Sequence, residues 1–138
     1  MTSTPLYGFS DTSYQAAGAE AGIRQLVDDF YRFMEELPEA ASIRAMHKAD
    51  LTSSRDKLTL FLCGWMGGPM LYHDKYGGIN IPRDHAHLPI GAAERDAWLL
   101  CMERALTLQP YSAEFAQYLL TQLRIPAERI VAVSKSAE

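Results

Sequence analysis

Basic charge is scarce in this chain. Its 13 lysines and arginines stand against 17 aspartates and glutamates, a formal net charge of -4. No stretch supplies the basic stripe that neutralises phosphates, so nucleic acid is not an expected partner. Long apolar runs are missing as well. Nothing reaches the roughly 20 residues that a membrane-spanning helix needs, so no membrane partner is expected. The opening MTSTPLYGFSDTSYQ is polar and lacks the charged-then-apolar layout of a secretory signal, which makes the cytoplasm the expected location. Cysteine is limited to Cys63 and Cys101, in separate helical patterns. In a reducing compartment these read as free buried thiols rather than a disulfide or a redox pair. Strand-like alternation, internal repeats and low-complexity segments are also absent, which leaves an all-α reading.

What is present is ordinary for one globular domain: 138 residues, 48% hydrophobic and 22% charged. That length can bury a real core. Residues 1–10 read as an N-terminal arm and 11–138 as the domain. A short helix is predicted from Asp11 or Thr12 to Ala17, since Asp11, Thr12 and Ser13 all suit an N-cap. The first long helix runs from Ala19 to Leu37. Its apolar face is Ile23, Leu26, Val27, Phe30, Met34 and Leu37, and Pro38 ends it. A short helical piece covers Glu39 to Met46. The second long helix begins near Thr52, with Leu58, Phe61, Leu62 and Trp65 as its buried stripe, and Gly67-Gly68-Pro69 stop it. Residues 69–83 read as irregular, and a short helix is predicted over Arg83 to Leu88. The third long helix covers Ala92 to Leu108, with Trp98, Cys101, Met102, Ala105 and Leu106 on one face. Ser112 to Leu123 form the fourth, with Phe115, Tyr118, Leu119 and Gln122 on related positions, and Pro126 interrupts it. The long connection between the second and third helices is unusual in a compact domain unless it carries function.

That connection holds His85 and His87, just before the Pro89-Ile90-Gly91 break. A neutral imidazole in a short, broken segment beside an apolar wall is what a haem iron takes as its protein ligand. Taken alone, the pair fits a surface role as well, and a zinc or iron site would have to add His47 and His73. No Cys-x-x-Cys or His-Glu-x-x-His pattern supports such a site. On the residues alone, Tyr31 is an aromatic beside the apolar stripe and Trp98 a core anchor. Trp65, Phe61 and Met102 are core or cofactor-contact residues, and Lys57 is a solvated helix residue. Glu94-Arg95-Asp96 starts a helix, because acids suit a first turn.

Three blocks now line up. They are AGAEAGIRQLVDDFYRF in the first long helix, FLCGWMGGPMLY at the end of the second, and PIGAAERDAWLLCMERAL at the third. With them the chain resembles the truncated haemoglobins, and within that family the second group, over about residues 14 to 108. The resemblance implies a globin-like two-over-two helical sandwich around one haem b. It places His85 on the iron, nine residues before Glu94 and six before Gly91. His87, where the family usually has proline, stays as the runner-up ligand. Tyr31, just after Phe30, matches the distal tyrosine, and Trp98 matches the distal tryptophan. Family members often carry tyrosine at the corner before the second long helix. Here the corner reads Ala45-Met46-His47-Lys48, with His47 the equivalent by its distance from Leu51 and Met46 the alternative. Ser54 and Leu58 match distal positions facing the haem, and Lys57 matches a basic residue that pairs with a propionate. Asp84 stands where the family has a base before the proximal histidine.

The implied function is binding of dioxygen and other diatomic ligands, with oxygen transport as the formal role. Hydrogen bonds from Tyr31, Trp98 and His47 would slow release. The alternative is a haem enzyme for nitric oxide or peroxide, served by a reductase. A third reading is a non-haem helical interaction module.

Overall fold

The computed structural model describes residues 7, 8, 10–78, 85, 88 and 90–133. Among the described residues every regular element is helical. Helix α1 is Thr12–Ala16, α2 Ala19–Glu36, α3 Ala41–Ala45, α4 Thr52–Trp65, α5 Leu71–Tyr76, α6 Ala92–Thr107 and α7 Ala113–Val133, with a 3-10 turn at Pro38–Ala40. The all-α expectation holds, and each long helix begins within a residue of its predicted start.

Helix α2 is the hub. Its apolar stripe places Ile23, Leu26, Val27, Phe30 and Met34 fully inside, and it packs against both α4 and α6. Helix α7 packs on α6 and α5 on α4. Phe115 and Leu119 of α7 and Met102 of α6 complete the interior. Cys63 and Cys101 are free and buried, as expected, and burial pushes both thiols up to about 11. The first turn of α6 is closed by Glu94, whose carboxylate accepts the Gly91 N–H at 2.8 Å.

Three expectations need correction, and a fourth falls mostly outside the described residues. The irregular reading of residues 69–83 misses α5. Six residues are too short to be read as a helix from periodicity, and this helix is held from outside: Asp56 of α4 accepts Lys75 at 2.7 Å and the Tyr76 hydroxyl at 2.6 Å. Pro126 does not interrupt α7, which continues to Val133. A proline deletes one rung of the ladder, and here the turns on either side carry the helix through it. The predicted stripe of α4 is only partly buried. Leu62 is inside with Thr59, Leu60 and Cys63, whereas Leu58, Phe61 and Trp65 are half-covered. The helix predicted over Arg83 to Leu88 lies mostly outside the described residues. His85 is helical within it, and its carbonyl accepts the Leu88 N–H at 3.0 Å.

The double glycine does more than stop α4. Gly67 sits at φ +90°, and the bonds Gly67 N–H to Gly64 O (3.0 Å) and Gly68 N–H to Cys63 O (2.9 Å) form a Schellman cap. A Cβ on Gly67 would collide with the Ser10 carbonyl, and one on Gly68 with the Tyr14 ring. The N-terminal segment therefore runs directly over the cap, fixed by the Tyr14 N–H to Met66 O bond at 3.1 Å.

Candidate functional site

Helix α2 delivers Phe30 and Tyr31 side by side. Phe30 has no exposed surface, and its ring lies 5.0 Å from Tyr31, edge-on, and 5.0 Å from Trp98 of α6. Tyr31 meets the ring of His47 edge-on at 5.7 Å. A continuous row, His47–Tyr31–Phe30–Trp98, thus crosses from the corner before α4 to α6. Met102 lies one turn beyond Trp98 and is fully buried. Of the two corner candidates, His47 is the one whose ring contacts Tyr31.

Two of the three polar side chains in this row lack a good partner among the described residues. The Tyr31 hydroxyl is 3.5 Å from the Ser54 carbonyl, beyond the usual range of an O–H donor. Burial pushes that phenol up to about 12, with Arg55 opposing. Among the described residues the Trp98 indole N–H meets no acceptor. The His47 Nδ1 sits 2.8 Å from the Ile43 carbonyl, so Nδ1 carries the proton in that bond and Nε2 is left for another partner. His47 also lines an open surface groove with Met34, Leu37 and Arg44.

Helix α4 forms a second wall. Ser54, Leu58, Phe61 and Trp65 recur at spacings of four, three and four, so they share one face. All four are half-buried. Lys57 is exposed, with its ammonium 5.4 Å from the Tyr76 ring. His85 is half-buried in the connection before α6. His87, Asp84 and Arg83 lie outside the described residues. Sequence reasoning missed Arg55, which reaches Asp28 at 3.9 Å and Glu35 at 4.0 Å and ties α4 to α2 beside Tyr31. Asp28 and Glu35, seven apart on α2, were the available signal. It also missed Tyr72, whose ring stands edge-on to Phe61 at 6.5 Å.

These features fit a haem. The three apolar side chains of α4 are packed on one side and uncovered on the other, as a flat apolar group would need. A buried phenol without a good partner awaits a polar ligand, and the half-buried Trp98 brings a second donor beside it with no acceptor among the described residues. One imidazole suffices as the protein ligand of a haem iron. Among the described residues no three His, Cys, Asp or Glu side chains converge, so these residues do not build a many-ligand metal cage.

The family model of the bacterial-like globins matches residues 12–130. The group 2 truncated haemoglobin YjbI of Bacillus subtilis (strain 168) is 32% identical over 118 residues, 86% of either chain. Two solved structures share the fold. The group II 2-on-2 haemoglobin of Agrobacterium tumefaciens superposes with a TM-score of 0.81 at 38% identity, covering 94% of this chain and 97% of that one. The truncated oxygen-avid haemoglobin of Bacillus subtilis gives 0.78 at 31% identity, covering 86% and 98%. The chain belongs to the bacterial-like globins and, among them, to the group II truncated haemoglobins, with their globin-like two-over-two fold. Membership of this family implies haem-based gas binding. No helix of the described residues is long and apolar enough to cross a membrane.

Proposed function

We propose that this chain holds haem b through His85 and retains dioxygen or another diatomic gas in a distal space bounded by Tyr31, Trp98 and His47. The observation that carries the reading is the ring row His47–Tyr31–Phe30–Trp98, with a buried, poorly partnered phenol at its centre. Leu58, Phe61 and Trp65 supply the apolar surface for the macrocycle, Met102 backs it from the core, and Lys57 supplies a cation for a propionate. Haem, when bound, would supply an iron able to take a diatomic ligand.

The chain's own groups then decide how long the gas stays. Tyr31, displaced upward to about 12, keeps its proton throughout the neutral range and can donate. Trp98 is a donor at any pH. Phe30 is wedged between them and fixes both rings. Ser54 is the fallback acceptor for the Tyr31 hydroxyl, at a length that gives way readily to a better one. Together these donors favour retention over rapid release, in the manner of the relative described as oxygen-avid. Oxygen handling in the cytoplasm is the role this reading assigns.

The axial assignment is tested by haem titration of two variants. His85→Ala is expected to lose stable haem binding and its Soret band. His87→Ala is expected to keep a normal ferrous spectrum. The reverse pattern would move the ligand to His87, and no Soret band in the unaltered chain would end the haem reading.

A further inference from the structure

Helix α5, unread in the sequence, adds aromatic rings to the outer side of the candidate pocket. Phe61 of α4 meets Tyr72 edge-on at 6.5 Å, and Tyr72 meets Tyr76 one turn later at 5.2 Å. Tyr76 is 37% exposed and is the most open of the chain's seven tyrosines. Its hydroxyl donates to Asp56 Oδ2 at 2.6 Å. The same oxygen accepts Lys75 at 2.7 Å, and Arg24 stands 3.7 Å from Oδ1. The ammonium groups of Lys57 and Lys75 each lie 5.4 Å from the centre of the Tyr76 ring. Rings in sequence from pocket to surface, ending on a phenol with a carboxylate at its proton, form an arrangement suited to moving an electron.

From this we infer that Tyr76 is a redox-active surface tyrosine that drains oxidising equivalents from the pocket through Tyr72 and Phe61, with Asp56 as its proton acceptor. The inference rests on the haem reading above. The oxidant is hydrogen peroxide reacting at the haem. Its reduction to two waters takes two electrons and two protons. Tyr76 gives up one electron toward the pocket, and its O–H bond breaks, the proton passing to Asp56. A neutral tyrosyl radical remains. A small one-electron donor in solution, such as a phenol, then returns an electron to the radical, and Asp56 returns the proton. The donor's proton goes to solvent, and solvent supplies the protons for water. Two such rounds balance one peroxide.

Lys75 makes Asp56 necessary. A cation over the ring opposes a ring radical cation, so the electron leaves only when the proton leaves with it. The Asp56 carboxylate is held below the usual range by Lys75 and Tyr76, and so stays charged and able to receive it. An oxidised phenol is acidic enough to give up its proton even to so weak a base.

The test treats the haem-loaded full chain with hydrogen peroxide and a nitroso spin trap, and locates the adduct by peptide mass spectrometry. The adduct is expected on Tyr76, and on Tyr72 in Tyr76→Phe. Asp56→Asn, which keeps an acceptor oxygen but takes no proton, is expected to lower the Tyr76 adduct at least about tenfold, as loss of a positioned base does. An undiminished adduct in Asp56→Asn would reduce Tyr76 to an exposed bystander and overturn the relay. So would adducts confined to tyrosines outside α5. A normal Soret band without any tyrosyl adduct overturns the relay alone. Absence of the Soret band overturns the haem reading and the relay with it.

Discussion

Phe30 touches a ring on either side and reaches no solvent, so buried Tyr31 cannot rotate without displacing the core, while half-buried Trp98 is held on the side it turns to Phe30. On the proposed reading, donors held in this way act on a ligand without first being ordered. The two donors differ in what they hold while they wait. Tyr31 has a 3.5 Å contact with the Ser54 carbonyl, and the Trp98 N–H has no acceptor among the described residues. Hydrogen bonds to a partly charged ligand contribute about 1.5–3 kcal/mol, or one to two decades in dissociation rate. Trp98→Phe keeps the ring beside Phe30 and removes only the N–H. Stopped-flow measurement is expected to show oxygen leaving at least about ten times faster from this variant. An unchanged rate would take Trp98 out of the retaining set and leave Tyr31 to act without it.

At the scale of elements, the capping of α4 and the course of residues 10–14 are one feature. Gly67 is left-handed and lies against the Ser10 carbonyl, so Gly67→Ala adds both backbone strain and a collision. The expected loss is about 1–3 kcal/mol, read as a lower thermal midpoint. Faster amide exchange at Tyr14, whose N–H holds Met66 O, is expected beside it. An unshifted midpoint would mean that the packing of residues 10–14 does not depend on the cap. The sequence shows that this glycine pair ends a helix, since helix and stop are local. It does not show what crosses above the pair. The same limit separates the legible helices from the illegible one. Helices α2, α4 and α6 carry three-and-four periodicity of their own, whereas α5 depends on Asp56, some 20 residues earlier in the chain. Phe30, Tyr31 and Trp98 could be singled out by resemblance, but their ring contacts are tertiary. The stripe of α4 is legible as apolar, but the half-burial of Leu58, Phe61 and Trp65 is not, because periodicity finds an apolar face without saying what covers it.

At the scale of the molecule, distant segments are joined by a few buried polar bonds. Gln109, just past α6, donates to the buried Asp29 of α2 at 2.7 Å. The Tyr111 hydroxyl donates to the Ala17 carbonyl at 2.9 Å, joining the start of the last helical segment to the turn before α2. Burial holds both Tyr111 and Tyr31 up at about 12, against 10.0 for the free side chain. The sign of the resulting pH effect follows from proton counting. Below pH 10 the folded and unfolded chains both keep these protons. Between 10 and 12 the unfolded chain loses them and the folded chain does not, so the unfolded state gains and stability falls with rising pH. The loss is on the order of 2–3 kcal/mol for Tyr31, and less for half-buried Tyr111, which water partly screens. Denaturant melts between pH 9 and 12 are expected to show this decline. Tyr31→Phe keeps the ring between Phe30 and His47 and removes the ionisable hydroxyl. Its stability is therefore expected to fall less steeply over the same interval than that of the unaltered chain. Parallel slopes would mean that the Tyr31 hydroxyl ionises as freely in the folded protein as in the unfolded one, and would count against a sealed pocket around it.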